Sequence, residues 1–379
     1  MAEAPRTQAG AYTPTLMVAA NTLIRRERRL PLPGEVSVEV GDRVEAEQLV
    51  AAAALPGKVS AINVARELNV PPGEIGPRLL KHEGDPVELG EPIAEYKSFL
   101  GFFRATVLSP ASGTVEAIST VTGQALIRGE PIPVELDAYV SGKVVRIEPG
   151  EAVTVECRCA LIQGILGIGG EAHGELALLT GSATEPVTAE ALSEAHRGKV
   201  VVCGAQLGWG VLERAREVGV AGLVAGAMSA TDLDRLLGAP LGVAITGQEQ
   251  VGLTLILTEG FGDLNMAQET YDLLRQYEGE RVALNGATQI RAGVLRPEIV
   301  ISLGGATGEA SPPPSGQLQV GSRVRVVREP YFGLLGRVSE LPDQLKQVET
   351  EARTRVLRAR LDDGREVTVP RANVELIER

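Results

Sequence analysis

Cys157 and Cys159 stand two apart in the run ECRCA, and His173 is the nearest histidine in sequence. On a strand, alternation puts both thiols on one face, which is half of a thiolate metal site. A structural zinc site needs a second such pair or its histidine equivalent. The chain has three cysteines and three histidines in 379 residues and offers neither, so no metal is expected. Cys203 ends the apolar run VVVC, where a nucleophile could stand, but a buried free cysteine ordinarily packs rather than reacts. His82 and His196 sit among charged residues. No serine elbow or Cys/His pair has a recognisable setting, and no cofactor is expected.

Glycines and arginines offer binding chemistry instead. The stretch CALIQGILGIGGEAHGELALL (159–179) could bring backbone N–H groups close to an anion. No Lys-Ser/Thr follows, so it is not a P-loop, and it reads as bends between apolar strands. Further on, CGAQLGWG (203–210), AGAMSATD (225–232) and TEGFGDLNM (258–266) follow three apolar runs. Gly204, Gly208, Gly210, Glu259 and Gly260 are the candidate ligand-loop residues, although their spacing is not GxGxxG. Near the C-terminus, VRVVREPYFGLLGRV (324–338) places Arg323 and Arg325 on one strand face and Val324 and Val326 on the other. Arg358 and Arg360 share a second face, and an exposed Tyr331 or Phe332 could stack on a base. With Arg337 these seven form the candidate surface for RNA or a protein partner.

The elements that must position these residues follow from pattern. From Pro31 to about Thr180 the chain reads as β. GEVSVEVGDRVEAEQLV turns at Gly41-Asp42, and KHEGDPVELGEPIAE repeats the turn at Gly84-Asp85. Ser-Gly-x-Val recurs at Ser112 and Ser141. Glycine accepts the positive φ of such turns and Asp bonds back to the turn backbone. Residues 61–80 read as an insertion with a short helix before Pro71-Pro72. From about 185 to 302, buried strands alternate with helices of about ten residues, the signature of an α/β layer with a parallel sheet. Ser229 is a helix N-cap with Asp232 three positions on. GGATGEASPPPSGQ, within a linker at 303–318, reads as an extended spacer. Five short strands over 319–379, with Asp363-Gly364 at a hairpin tip, predict an SH3-like barrel.

Bulk numbers bound the function. The net charge of -12 argues against a protein whose whole surface grips nucleic acid or anionic membrane. The charge is uneven: residues 319–379 carry 12 Lys/Arg against 10 Asp/Glu, leaving 25 against 39 elsewhere. Three cysteines make no disulfide framework, which suits a cytoplasmic protein. No apolar run reaches the roughly 18 residues of a membrane span. LMVAANTLI (16–24) precedes RRERR (25–29), the reverse of a secretory signal, so residues 1–30 are an N-terminal segment.

Two resemblances add to this. The GDxV and SGxV phrases of about 31–160 resemble the barrel-sandwich hybrid folds of biotinyl and lipoyl carrier domains, which implies such a fold over 31–180. Neither Lys58 in LPGKVSA nor Lys143 in SGKVVRI has the setting of a modified carrier lysine. GSRVRVVREPYFGLLGRV resembles a KOW motif, as in NusG-type elongation factors and several large-subunit ribosomal proteins. The matching parts are Gly321, the Val324/Val326 face, Phe332, and Gly333-x-x-Gly336 leading into Arg337-Val338. The resemblance implies a surface for RNA or protein. The expected whole is a multidomain β and α/β protein: a non-enzymatic scaffold or assembly factor docking through the KOW module. The alternative is a small-molecule-binding or enzymatic α/β domain with accessory barrels.

Overall fold

The computed structural model describes residues 15–97, 104–238, 249, 251–288, 295–304, 316–342, 345–347 and 353–378. The fold is β-rich, with one large mixed sheet and several small ones. Most of the predicted linker, 305–315, lies outside the described residues.

The segment that fails as a signal is a long strand. Thr15–Arg29 runs antiparallel along Ala152–Gln163, from Val18 opposite Ile162 to Arg29 opposite Ala152. Its apolar half buries Leu16, Met17, Ala19 and Ile24. Its first residues, Thr15 to Met17, pair in parallel with Leu376 to Glu378. One strand therefore ties the C-terminal module to the central sheet.

The repeated turns pair in a nested order. Gly41 N–H donates to Val144 O and Val144 N–H to Asp42 O; Gly84 N–H donates to Val115 O and Val115 N–H to Asp85 O. Each Asp carboxylate accepts from the N–H three residues before it, Glu39 or His82. Each Ser-Gly serine accepts a further N–H, from Ala46 to Ser141 and from Leu89 to Ser112. Gly41 and Gly84 sit at φ 107 and 91, conformations costly for any side chain. The first Gly-Asp turn thus closes on the last Ser-Gly phrase, and the inner two close on each other. The inner pair has its own apolar cluster, which includes Val64, Ala65 and Leu68 of the helix Val64–Leu68 as well as Ile75. Residues 61–80, read as an insertion, thus help build that inner core. Val40, just before the first turn, is 62% exposed because the strand ends at Val36.

The α/β rhythm is present, but its parallel set begins before 185, with Glu171–Leu178 from the span read as barrel. Glu171–Leu178, Val200–Cys203, Gly222–Met228 and Thr254–Phe261 pair in parallel, in that order. Helices Trp209–Val218, Ala230–Leu237 and Gln268–Gln276 accompany them. The Ser229 hydroxyl accepts from Asp232 N–H at 3.1 Å, the predicted cap. Arg281–Asn285 pairs antiparallel with Glu298–Ser302 and Glu171–Leu178. It therefore lies outside the parallel set.

The C-terminal strands are Arg323–Val326, Leu335–Glu340, Leu345–Gln347, Arg353–Leu361, Glu366–Pro370 and Val374–Glu378. All but the short third match the five read from sequence. Val324, Val326, Val338, Leu357, Ala359 and Val367 fill their own core. Among the described residues, no helix is long and apolar enough to cross a membrane.

Candidate functional site

Alternation places Arg323 and Arg325 on the outer face of the C-terminal strands, opposite Val324 and Val326. For Arg325 that face is covered. It is 3% exposed, and its guanidinium bonds the Glu259 carboxylate and reaches Thr258 O at 3.4 Å. Glu375 lies 3.8 Å away and is itself held by Arg296. The other Glu259 oxygen accepts from Thr258 Oγ1 at 3.2 Å and Ala267 N–H at 3.0 Å. Two candidates from separate sequence readings, Arg325 and Glu259, are thus each other's partners. Phe332 follows them: its ring stacks on Phe261, centroids 5.6 Å apart, and a side chain at Gly333 would meet Leu264. Arg325 and Phe332 are corrected from outward-facing contacts to parts of an internal joint.

Tyr331 is half-buried against the module core, with the Arg365 guanidinium 5.7 Å from its ring centroid. Arg323 is held by both oxygens of Asp362 at 2.5 Å, its side chain 11% exposed. Arg337, Arg358 and Arg360 remain exposed. Register sets Arg323 opposite Arg337 and Arg337 opposite Arg360, three arginines in one row across adjacent strands, with Glu366 next beyond Arg360. Directly opposed residues share a face, and like charges there repel. Arg358 pairs with Glu340 at 2.6 Å. Arg337 has only the Gly321 carbonyl at 3.4 Å, and Arg360 has no carboxylate within ion-pair distance among the described residues.

The glycine loops serve one another. Gly204 N–H donates to Thr180 Oγ1, and Gly204 O accepts from Met266 N–H. A Cβ at Gly204 would lie 2.3 Å from Ser182 O. Gly260 has φ 96 and packs on Ile165. Gly208 and Gly210 open the helix Trp209–Val218 with free space around them. Cys203 is fully buried, and burial alone pushes its thiol up to about 12. Cys157 and Cys159 are also buried, and Cys157 Sγ lies 3.3 Å from Ser302 Oγ; each thiol acts on the other, lowering the first and raising the second. Among the described residues no three His, Cys, Asp or Glu side chains gather as a metal site.

Sequence reasoning missed a second charged cluster, built from RRERR. Arg26 grips Glu298 through Nε and Nη2 on one guanidinium edge, and Tyr139 donates to the same carboxylate at 3.2 Å. Arg28 bonds Glu171 at 2.6 Å and Asp137 at 3.2 Å and lies over the Tyr139 ring. His173 bonds the Tyr139 carbonyl at 2.9 Å. Tyr139 sits at φ 64, strained for a bulky residue, and this cluster holds it there. The signal available was five residues with four arginines following an apolar strand.

Burial, with Glu298 alongside, raises the Tyr139 phenol well above its ordinary value. The unfolded chain releases the Cys203 and Tyr139 protons near their ordinary values of 9.0 and 10.0, while the folded chain keeps them. Raised folded values mean stability present below pH 9 and lost as pH climbs toward 12. Unfolding midpoints measured across that window should fall, less steeply in Tyr139→Phe. A flat profile would mean that both groups titrate freely in the folded protein.

No protein-family model matches this chain, and no curated protein matches it.

Proposed function

We propose that this chain is a non-enzymatic scaffold or assembly factor, cytoplasmic, whose C-terminal module docks on RNA. In this reading the nested-turn part of the 31–180 span forms a barrel-sandwich hybrid, Glu171–Leu178 joins 185–302 in an α/β domain, and 319–379 form a KOW-type SH3-like barrel. The observation that carries the docking assignment is the exposed Arg337–Arg360 pair, opposed across two strands with no carboxylate in ion-pair reach of either among the described residues. The two like charges repel across the strands, offset on one side by Glu366 opposite Arg360, and are favourable against phosphate, which guanidinium groups bind in forked geometry. The overall acidity confines the contact to this face and excludes a general nucleic-acid surface. Anisotropy of a labelled single-stranded RNA titrated with the full chain should show saturable binding that weakens with salt. No binding at low salt would end the RNA reading and turn the same face toward a protein partner.

A further inference from the structure

We infer that the module reads the phosphate backbone of its RNA and not the bases, an inference that rests on the RNA-docking reading above. Base readout by a β-surface needs aromatic faces on which unstacked bases lie, or polar side chains reaching base edges. Tyr331 and Phe332 are the only aromatics in residues 319–379, and both are engaged. Phe332, half-buried, has its ring stacked on Phe261, itself 43% exposed, and Tyr331, also half-buried, packs on the module core next to Arg365, so each has one ring face already taken. What the outer face of the strands Leu335–Glu340 and Arg353–Leu361 presents is guanidinium: Arg337, Arg358 and Arg360.

Their arrangement suits a backbone. Arg337 and Arg360 stand side by side, one strand spacing or roughly 5 Å apart. Arg358 lies two residues along from Arg360, and its pair with Glu340 is exposed on both sides at 45% and 51%. An exposed pair of that kind is worth little, so phosphate can replace Glu340. Arg323 is excluded because Asp362 already holds it. Three phosphate contacts remain.

The consequence is quantitative. For single strands the salt slope is about −0.7 per neutralised phosphate, so three contacts give a slope of about −2. Each arginine removed should flatten it by about 0.7. The test titrates labelled oligo(U), oligo(A) and oligo(C) of equal length with the full chain, from about 50 to about 200 mM salt. The expected result is affinities within about threefold of one another and a slope near −2. Arg337→Gln with Arg360→Gln should flatten the slope by about 1.4 and weaken binding by at least roughly tenfold. Phe332→Leu, confirmed folded by its melting curve, should leave relative affinities unchanged. A preference above about tenfold for one base, lost in Phe332→Leu, would overturn backbone reading while leaving RNA docking in place. Equal binding that ignores the two arginines would also overturn it. Failure of all three oligomers to bind at low salt would overturn RNA docking itself.

Discussion

Arg325→Met should cost the joint between the C-terminal module and the parallel sheet about 3–5 kcal/mol, the range for removing one partner of a buried ion pair. Glu259 and Glu375 are 5% and 4% exposed, and the substitution leaves both carboxylates without Arg325. Glu259 keeps Thr258 Oγ1 and the Ala267 N–H, and Glu375 keeps Arg296, which argues for the lower part of the range. A chain with several cores need not unfold in one step, so the loss should be read locally. Amide exchange should accelerate at 323–326 and 258–261 while 200–203 stays protected. The double variant Glu259→Leu with Arg325→Met should regain most of the loss, because an apolar pair can replace a buried ionic one. A single-variant cost under about 1 kcal/mol is the scale of an exposed pair and would place Arg325 in solvent.

Arg26→Met is the second large effect, again about 3–5 kcal/mol. Glu298 is 7% exposed and takes both of its charge-assisted bonds from Arg26. Tyr139 would remain its partner, in a backbone conformation that the same cluster helps to hold. Arg25→Met is the internal control. Its pair with Glu156 is 67% exposed on the arginine side, and such pairs are worth about 0–1 kcal/mol. Thermal or urea unfolding should therefore separate two neighbouring arginines sharply. Equal small losses would show that Arg26 does not carry the Glu298 cluster.

Much of the fold was legible because it is local. The Gly-Asp turns announce themselves by residue type, and the Ser229 cap by its hydroxyl three positions before Asp232. The strands of the C-terminal module follow from Val/Arg alternation. What alternation cannot say is what lies outside. It puts Arg323 with Arg325, opposite the core valines, and Arg358 with Arg360 on a shared face, yet a covered outer face and a wet one read alike. Arg325 is covered by a carboxylate 66 residues earlier, and no local pattern reports that distance. The nested closure of the repeats was hidden for the same reason: both Gly-Asp turns look alike, and their partners are chosen by the fold. RRERR reads locally only as the flank of an apolar stretch, and its meaning lies in Glu298, Asp137 and Glu171, all remote in sequence.

What covers each arginine of this face divides them: Arg325 is bound inside the molecule, whereas in the proposed reading Arg337, Arg358 and Arg360 meet RNA. Side-by-side RNA titrations of Arg337→Gln and Arg325→Met, at a temperature where both are folded, test it most directly. The account predicts roughly tenfold weaker binding for Arg337→Gln and an affinity close to the parent for Arg325→Met despite its lower stability. The reverse pattern, with Arg325 essential and Arg337 dispensable, would contradict it and make the buried joint the RNA-binding face.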